Sequence, residues 1–157
     1  MLFMIVSGCM AANKVTALNA AGRKGFISFD DPHLQYEGRI GKKNGVAEFY
    51  WSGSAVRLRF EGTGIKALLK DYNGQNYFNI IIDGDCVKKI RIDSAKKWYL
   101  LAENLTSGPH TVELFKRTQI NKEYKRGYTR FYGFQLNDGN VLPPDWWDDG
   151  QDFRRGR

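Results

Sequence analysis

Val56-Arg57-Leu58-Arg59-Phe60 places an apolar side chain at every second position and an arginine between each pair. A period of two sends alternate side chains to opposite faces of an extended chain, so this stretch predicts a half-buried strand. Ile65, Ala67 and Leu69 repeat the pattern against Lys66 and Lys70. Phe78-Asn79-Ile80-Ile81-Ile82 is apolar at nearly every position, which predicts a central strand covered on both faces. Residues 87–92 change phase across Lys88-Lys89, the mark of a bulge or turn. Residues 26–29, 36–40, 46–51, 98–102, 110–116 and 131–136 complete the set of strands. Asn44-Gly45, Asn73-Gly74, Asp83-Gly84, Ser107-Gly108-Pro109 and Asp138-Gly139 fall between these runs and supply residues that tolerate positive φ. About ten short strands with no helical period predict an all-β fold. The expected architecture over residues 26–144 is an antiparallel two-sheet β-sandwich or jelly roll.

Composition narrows the function. The chain has 157 residues, 42% of them hydrophobic, enough for one domain with a buried core, and this excludes disorder of the whole chain. No apolar run approaches the ~20 residues that a membrane-spanning helix requires. Two cysteines supply neither a disulfide framework nor a four-thiolate zinc site. The formal net charge is +7, but it is spread: residues 1–80 carry +4, residues 81–140 another +4, and the last seventeen −1. Phosphate binding calls for a concentrated patch. Between Lys116 and Arg130 lie six basic residues and one acid, Glu123, with Tyr124 and Tyr128 interleaved. Charge and stacking of that kind hold single strands in some proteins. The expectation here is a solvated loop between two strands, with no nucleic-acid partner.

The two ends differ from the body. Met1-Leu2-Phe3-Met4-Ile5-Val6 followed by Ser7-Gly8-Cys9 resembles the lipobox of a bacterial lipoprotein, with the small residue Gly8 before the cysteine. Lipidation of Cys9 would make this an exported protein of the cell surface or periplasm that touches a membrane only through its anchor. The apolar run is short and no Lys or Arg precedes it, features that a start codon assigned too far downstream explains. An inert Cys9 in a frayed terminus is the alternative. Cys86 is then an unpaired thiol, expected as a small core residue at the start of a strand. Residues 145–157 read as a disordered tail. Their Asp residues around Gly150 lack the alternating ligands and distal Glu of a calcium loop, so no metal is expected.

A search for catalytic patterns returns little. There is no Gly-x-Ser-x-Gly elbow, no phosphate-cradling glycine loop and no His/Cys cluster with metal spacing. Ser52 and Ser54 sit at a turn without a nominated base. His33 and His110 are far apart in sequence, and His110, opening a strand, is expected as a partly exposed structural residue. Asp83 and Asp85 flank a turn glycine, where Asp caps local backbone. No catalytic residue and no cofactor are expected.

Longer blocks carry more information. These are Tyr36-Glu37-Gly38-Arg39-Ile40, Phe49-Tyr50-Trp51-Ser52-Gly53-Ser54, residues 56–63, residues 76–84, residues 99–105, residues 108–118, Phe131-Tyr132-Gly133-Phe134 and Leu142-Pro143-Pro144. Together they resemble, in order, the N-terminal domain of the family 2 carbohydrate esterases over roughly residues 26–144. That resemblance implies a jelly-roll domain that precedes an SGNH-type hydrolase domain, in enzymes that remove acetyl groups from xylan and glucomannan. In those enzymes the catalytic serine and histidine belong to the second domain, and no position here matches them. The expected role is therefore a noncatalytic accessory domain that supports a separate hydrolase module or contacts plant polysaccharide. Two alternatives are a stand-alone glycan-binding surface lipoprotein and the remnant of an interrupted esterase gene. A sugar-binding loop is expected at Asp71, Tyr72, Asn73, Gln75 and Asn76, which gather amide, carboxylate and ring groups around Gly74; an ordinary polar turn is the competing reading. An exposed apolar patch is expected where a hydrolase would meet the domain.

Overall fold

A computed structural model describes residues 25–145 apart from Tyr124; Cys9 and the tail from Trp146 onward lie outside the described residues. The described residues form twelve strands: β1 Phe26–Ser28, β2 Gln35–Glu37, β3 Ile40–Lys43, β4 Val46–Phe49, β5 Ala55–Glu61, β6 Ile65–Asp71, β7 Tyr77–Ile82, β8 Asp85–Arg91, β9 Lys97–Ala102, β10 Pro109–Lys116, β11 Thr129–Leu136 and β12 Asn140–Val141. They make two antiparallel sheets. One runs β3-β4-β11-β6-β9 with β1 added against β11; the other runs β12-β5-β10-β7-β8 with β2 added against β5. The sandwich expected from the alternating pattern is the fold observed.

The inner faces follow from parity. Val56, Leu58 and Phe60 of β5, Phe78, Ile80 and Ile82 of β7, and Val112 and Leu114 of β10 face Ile65, Ala67 and Leu69 of β6 and Phe131, Phe134 and Leu136 of β11. Phe49, Phe78, Phe131 and Phe134 meet edge to face, with centroids 4.8–6.3 Å apart, the arrangement aromatic quadrupoles favour. Phe131 and Phe134 are three residues apart yet both point inward, because β11 carries a bulge. Phe131 pairs with Leu69 and Gly133 with Leu68, which leaves Tyr132 as the extra residue.

Several expectations change. Residues 36–40 are not one strand: Gly38, at φ +85°, breaks the chain so that β2 joins one sheet and β3 the other. The 78–82 stretch is an inner strand, but only one of its faces is covered. Asn79 and Ile81 on the other face are half-buried, because among the described residues no third layer lies over that sheet. The bulge in β8 exists, one residue earlier than expected: Ile80 pairs with Lys88 and Ile81 with Cys86, so Val87 bulges out. Cys86 is exposed rather than core, since it shares the outer face of an edge strand with Ile81. The Asn44-Gly45 and Asp83-Gly84 turns, with φ of 52° and 75°, then 52° and 89°, are of the primed type that suits a tight hairpin.

β10 also shows how the ends of the core are sealed. Its inward row is His110, Val112, Leu114 and Lys116, polar at each end and apolar between. His110 is buried, not partly exposed: Nδ1 lies 2.7 Å from Asp83 Oδ2 and Nε2 lies 2.7 Å from the Thr106 carbonyl. Asp83 also accepts the Thr111 N–H at 2.8 Å, so it ties a hairpin to the neighbouring strand rather than capping its own turn. Both imidazole nitrogens face acceptors, first the Thr106 carbonyl and then Asp83, and this holds the His110 pKa above its ordinary value. A raised histidine pKa contributes stability that is complete below the unfolded-chain value of ~6.5 and is lost as pH rises through the folded value. Relative to wild type, His110→Gln should therefore lose its stability deficit as pH climbs past ~6.5. Thermal midpoints of the two proteins across that range check this; a constant difference would contradict it.

Candidate functional site

The expected loop, residues 71–76, lies at the end of the sandwich opposite His110, and it divides into a buried and an exposed part. Asp71 and Asn76 are buried. Parity along β6 sends Asp71 inward, below Leu69. Its Oδ1 accepts from Asn76 Nδ2 at 2.7 Å and Thr129 Oγ1 at 2.6 Å, and its Oδ2 accepts the Gln75 N–H at 2.9 Å. Asn76 Oδ1 accepts from Lys116 Nζ at 2.8 Å and Thr118 Oγ1 at 2.7 Å. Lys116, expected at the start of a solvated loop, is instead a fully buried cation that also donates to the Thr118 carbonyl. Desolvation pulls its pKa down to about 8. This network bridges the two sheets and occupies the polar atoms of Asp71 and Asn76. Asn73 donates to the Lys125 carbonyl and Gln75 is exposed, which leaves Tyr72, 61% exposed, as the loop's presented ring.

Tyr72 does not stand alone. Tyr128 lies 5.6 Å from it and Tyr50 lies 5.3 Å beyond Tyr128, ring centroid to ring centroid. The register that aligns them also pairs Arg130 with Glu48 of β4 and with Lys70 of β6 on the outer face of the sheet. Glu48 is buried beneath this face, with its oxygens taken by Tyr50 Oη, Lys43 Nζ at 3.2 Å and Arg130 Nε at 3.2 Å. Burial alone would raise the Glu48 pKa, but the three donors outweigh it and hold the carboxyl below its ordinary value. A cavity of about 230 Å³ opens between Lys70, Asp71, Tyr72, Tyr128 and Arg130.

Two other surface features lie outside the expected loop. Further along the same sheet face, Phe26 and Trp98 meet edge to face at 6.0 Å beside exposed Leu100, with Lys66 over the Trp98 ring. At a loop end, a cavity of about 360 Å³ is lined by Arg39, half-exposed Trp51, Ser52 and Ser54. Neither histidine lines that cavity, and His33 Nδ1 sits 2.8 Å from Asp31. Among the described residues no group of three or more His, Cys, Asp or Glu side chains is placed to hold a metal ion.

Residues 36–144 match the family model described as Carbohydrate esterase 2 N-terminal, and the chain belongs to that family. It is 33% identical over 115 residues to the Cellulase/esterase CelE of Acetivibrio thermocellus, covering 72% of this chain and 13% of that protein. It is 27% identical over 94 residues to the Acetylxylan esterase / glucomannan deacetylase of Cellvibrio japonicus, covering 59% of this chain and 26% of that one. The structure of a family two carbohydrate esterase from Cellvibrio japonicus superposes with a TM-score of 0.68 at 24% identity, over 75% of this chain and 34% of that one. That of a family two carbohydrate esterase from Clostridium thermocellum in complex with cellohexaose gives 0.64 at 30% identity, over 71% and 33%. The chain thus spans about a third of those structures and about a quarter or less of the curated relatives.

Proposed function

We propose that this chain acts as a noncatalytic accessory domain in the deacetylation of plant polysaccharide, supporting a separate hydrolase module and contacting the polysaccharide. The carrying observation is the family match itself, which covers only the N-terminal domain of the esterases. The outer face around Phe26, Trp98 and Leu100 supports the hydrolase half of this reading. These are three large apolar side chains, each about 40% exposed and adjacent on one sheet, as an interface core would be. Export with a lipid on Cys9 belongs to the same proposal.

The test uses acetylated xylan and a family 2 catalytic domain stripped of its own sandwich. The chain alone should release no acetate, and adding it should raise the rate of the stripped domain several-fold. Trp98→Ala, on the proposed contact, should remove that gain. Acetate release by the chain alone, or a rate indifferent to it with no complex on size-exclusion chromatography, would overturn the proposal.

A further inference from the structure

We propose that the row Tyr72, Tyr128 and Tyr50, flanked by Lys70 and Arg130, is a binding site for an acidic polysaccharide. The rings would take the faces of successive sugars and the two cations a uronic-acid carboxylate. This rests on the polysaccharide-contact half of the reading above and adds a place and a ligand chemistry to it.

Three observations carry it. The first is rigidity. Tyr72 is largely exposed, yet the base of its side chain packs against the backbone at Gly127, where an added Cβ would come 2.5 Å from Tyr72 Cγ and 2.6 Å from Cβ and Cδ1. A glycine at 127 is therefore what seats the ring, and a ring held in place before binding loses little entropy on contact. The second is continuity. Tilts of 40° and 47° between neighbouring rings make a curved apolar wall beside the 230 Å³ cavity, which is smaller than a drug-sized pocket and suits one residue of a chain lying across it.

The third is charge. Lys70 and Arg130 are directly opposite on adjacent strands, an arrangement of like charges that is unfavourable on its own. Arg130 Nε is taken by Glu48 and Nη2 donates to Tyr128 Oη at 3.1 Å. Its Nη1 makes no hydrogen bond among the described residues, and Lys70 has neither a hydrogen bond nor an ion pair there. The nearby acids are committed: Glu48 to Tyr50, Lys43 and Arg130, and Asp71 to Asn76, Thr129 and Gln75. The Lys70 ammonium and the remaining Nη1 donor of Arg130, whose guanidinium lies 5.3 Å over the Tyr128 ring, stand side by side at the mouth of an aromatic cavity and fit a carboxylate, which accepts from both.

The full chain is titrated calorimetrically with glucuronic-acid-substituted xylan and with the same xylan after carboxyl reduction. Affinity for the acidic form should be at least about fivefold higher, a difference that Lys70→Ala should abolish. Tyr72→Ala, at an exposed ring, should weaken both ligands with the thermal midpoint unchanged. Lys89→Ala, on the distant edge strand β8, should leave binding unaltered. Equal affinity for the two xylans would overturn the acidic specificity alone. Absence of binding to either would overturn polysaccharide contact as well. A Lys89→Ala loss as large as that of Lys70→Ala would reduce the attraction to net charge and overturn the site.

Discussion

Asp71→Ala should destabilise the domain by about 3–5 kcal/mol, the range seen when one partner of a buried charged network is removed. The carboxylate accepts three hydrogen bonds within the sandwich, from Asn76, Thr129 and the Gln75 backbone. Alanine leaves all three donors without that acceptor, and each buried unsatisfied group costs about 1–3 kcal/mol. It also takes away the negative charge nearest the buried Lys116 cation. The thermal midpoint should fall by roughly 10 °C or more for a domain of this size. Asp71→Asn, which keeps shape and part of the hydrogen bonding, should cost less. Pairing Asp71→Ala with Lys116→Met should cost less than the two singly, because each removes the charge that the other leaves stranded. Chemical denaturation of the four variants measures both quantities. A single-variant change under about 1 kcal/mol would show that the network contributes no more than an ordinary surface pair.

Gly133→Ala should be comparably damaging for a different reason. Gly133 has φ +151°, and a Cβ there would run into the Ile27 carbonyl oxygen and approach Phe26 Cζ at 2.7 Å. Backbone cannot yield as a side-chain tip can. The least costly response is for β1 to leave β11, to which it is bound over only three residues. That movement exposes Ile27, now 2% accessible, and leaves the strain at 133 partly in place. Strain of about 1–3 kcal/mol plus loss of Ile27 burial worth about 1.5–3 kcal/mol sets the expected scale. Denaturant midpoints, together with amide exchange at residues 26–28, test it: a stable variant with those amides still protected would contradict the account.

Most of the sandwich could be read from alternation because one buried face imposes a period of two on each strand. The same rule, carried one step further, identifies the polar network. His110, Val112 and Leu114 lead by parity to Lys116, and Ile65, Ala67 and Leu69 lead to Asp71. Their charge argued for solvent, and the partners that make burial tolerable come from other strands, which local sequence does not show. The tyrosine row was hidden for a related reason. Tyr72 stood out within its loop, but Tyr50 and Tyr128 meet it only through the register of β4, β11 and β6, set by pairings up to 84 residues apart. Cys86 was misplaced because a single bulge at Val87 reverses which face a side chain takes.

The strand order gives the surplus of positive charge a further meaning. Among the described residues the outermost strands are β3, β9 and the three-residue β1 in one sheet, and β12, β8 and the three-residue β2 in the other. β3 ends in Lys42-Lys43, β8 carries Lys88, Lys89 and Arg91, Lys96 precedes β9 and Lys97 opens it, and β12 is only two residues long. An open sheet edge offers unpaired N–H and C=O groups to any other strand, and lysines or extreme shortness are the usual deterrents. Much of the excess of basic over acidic residues therefore sits where the edge of a second molecule would have to approach. Two such edges repel at low ionic strength and lose that repulsion as salt shortens the screening length to a few ångströms.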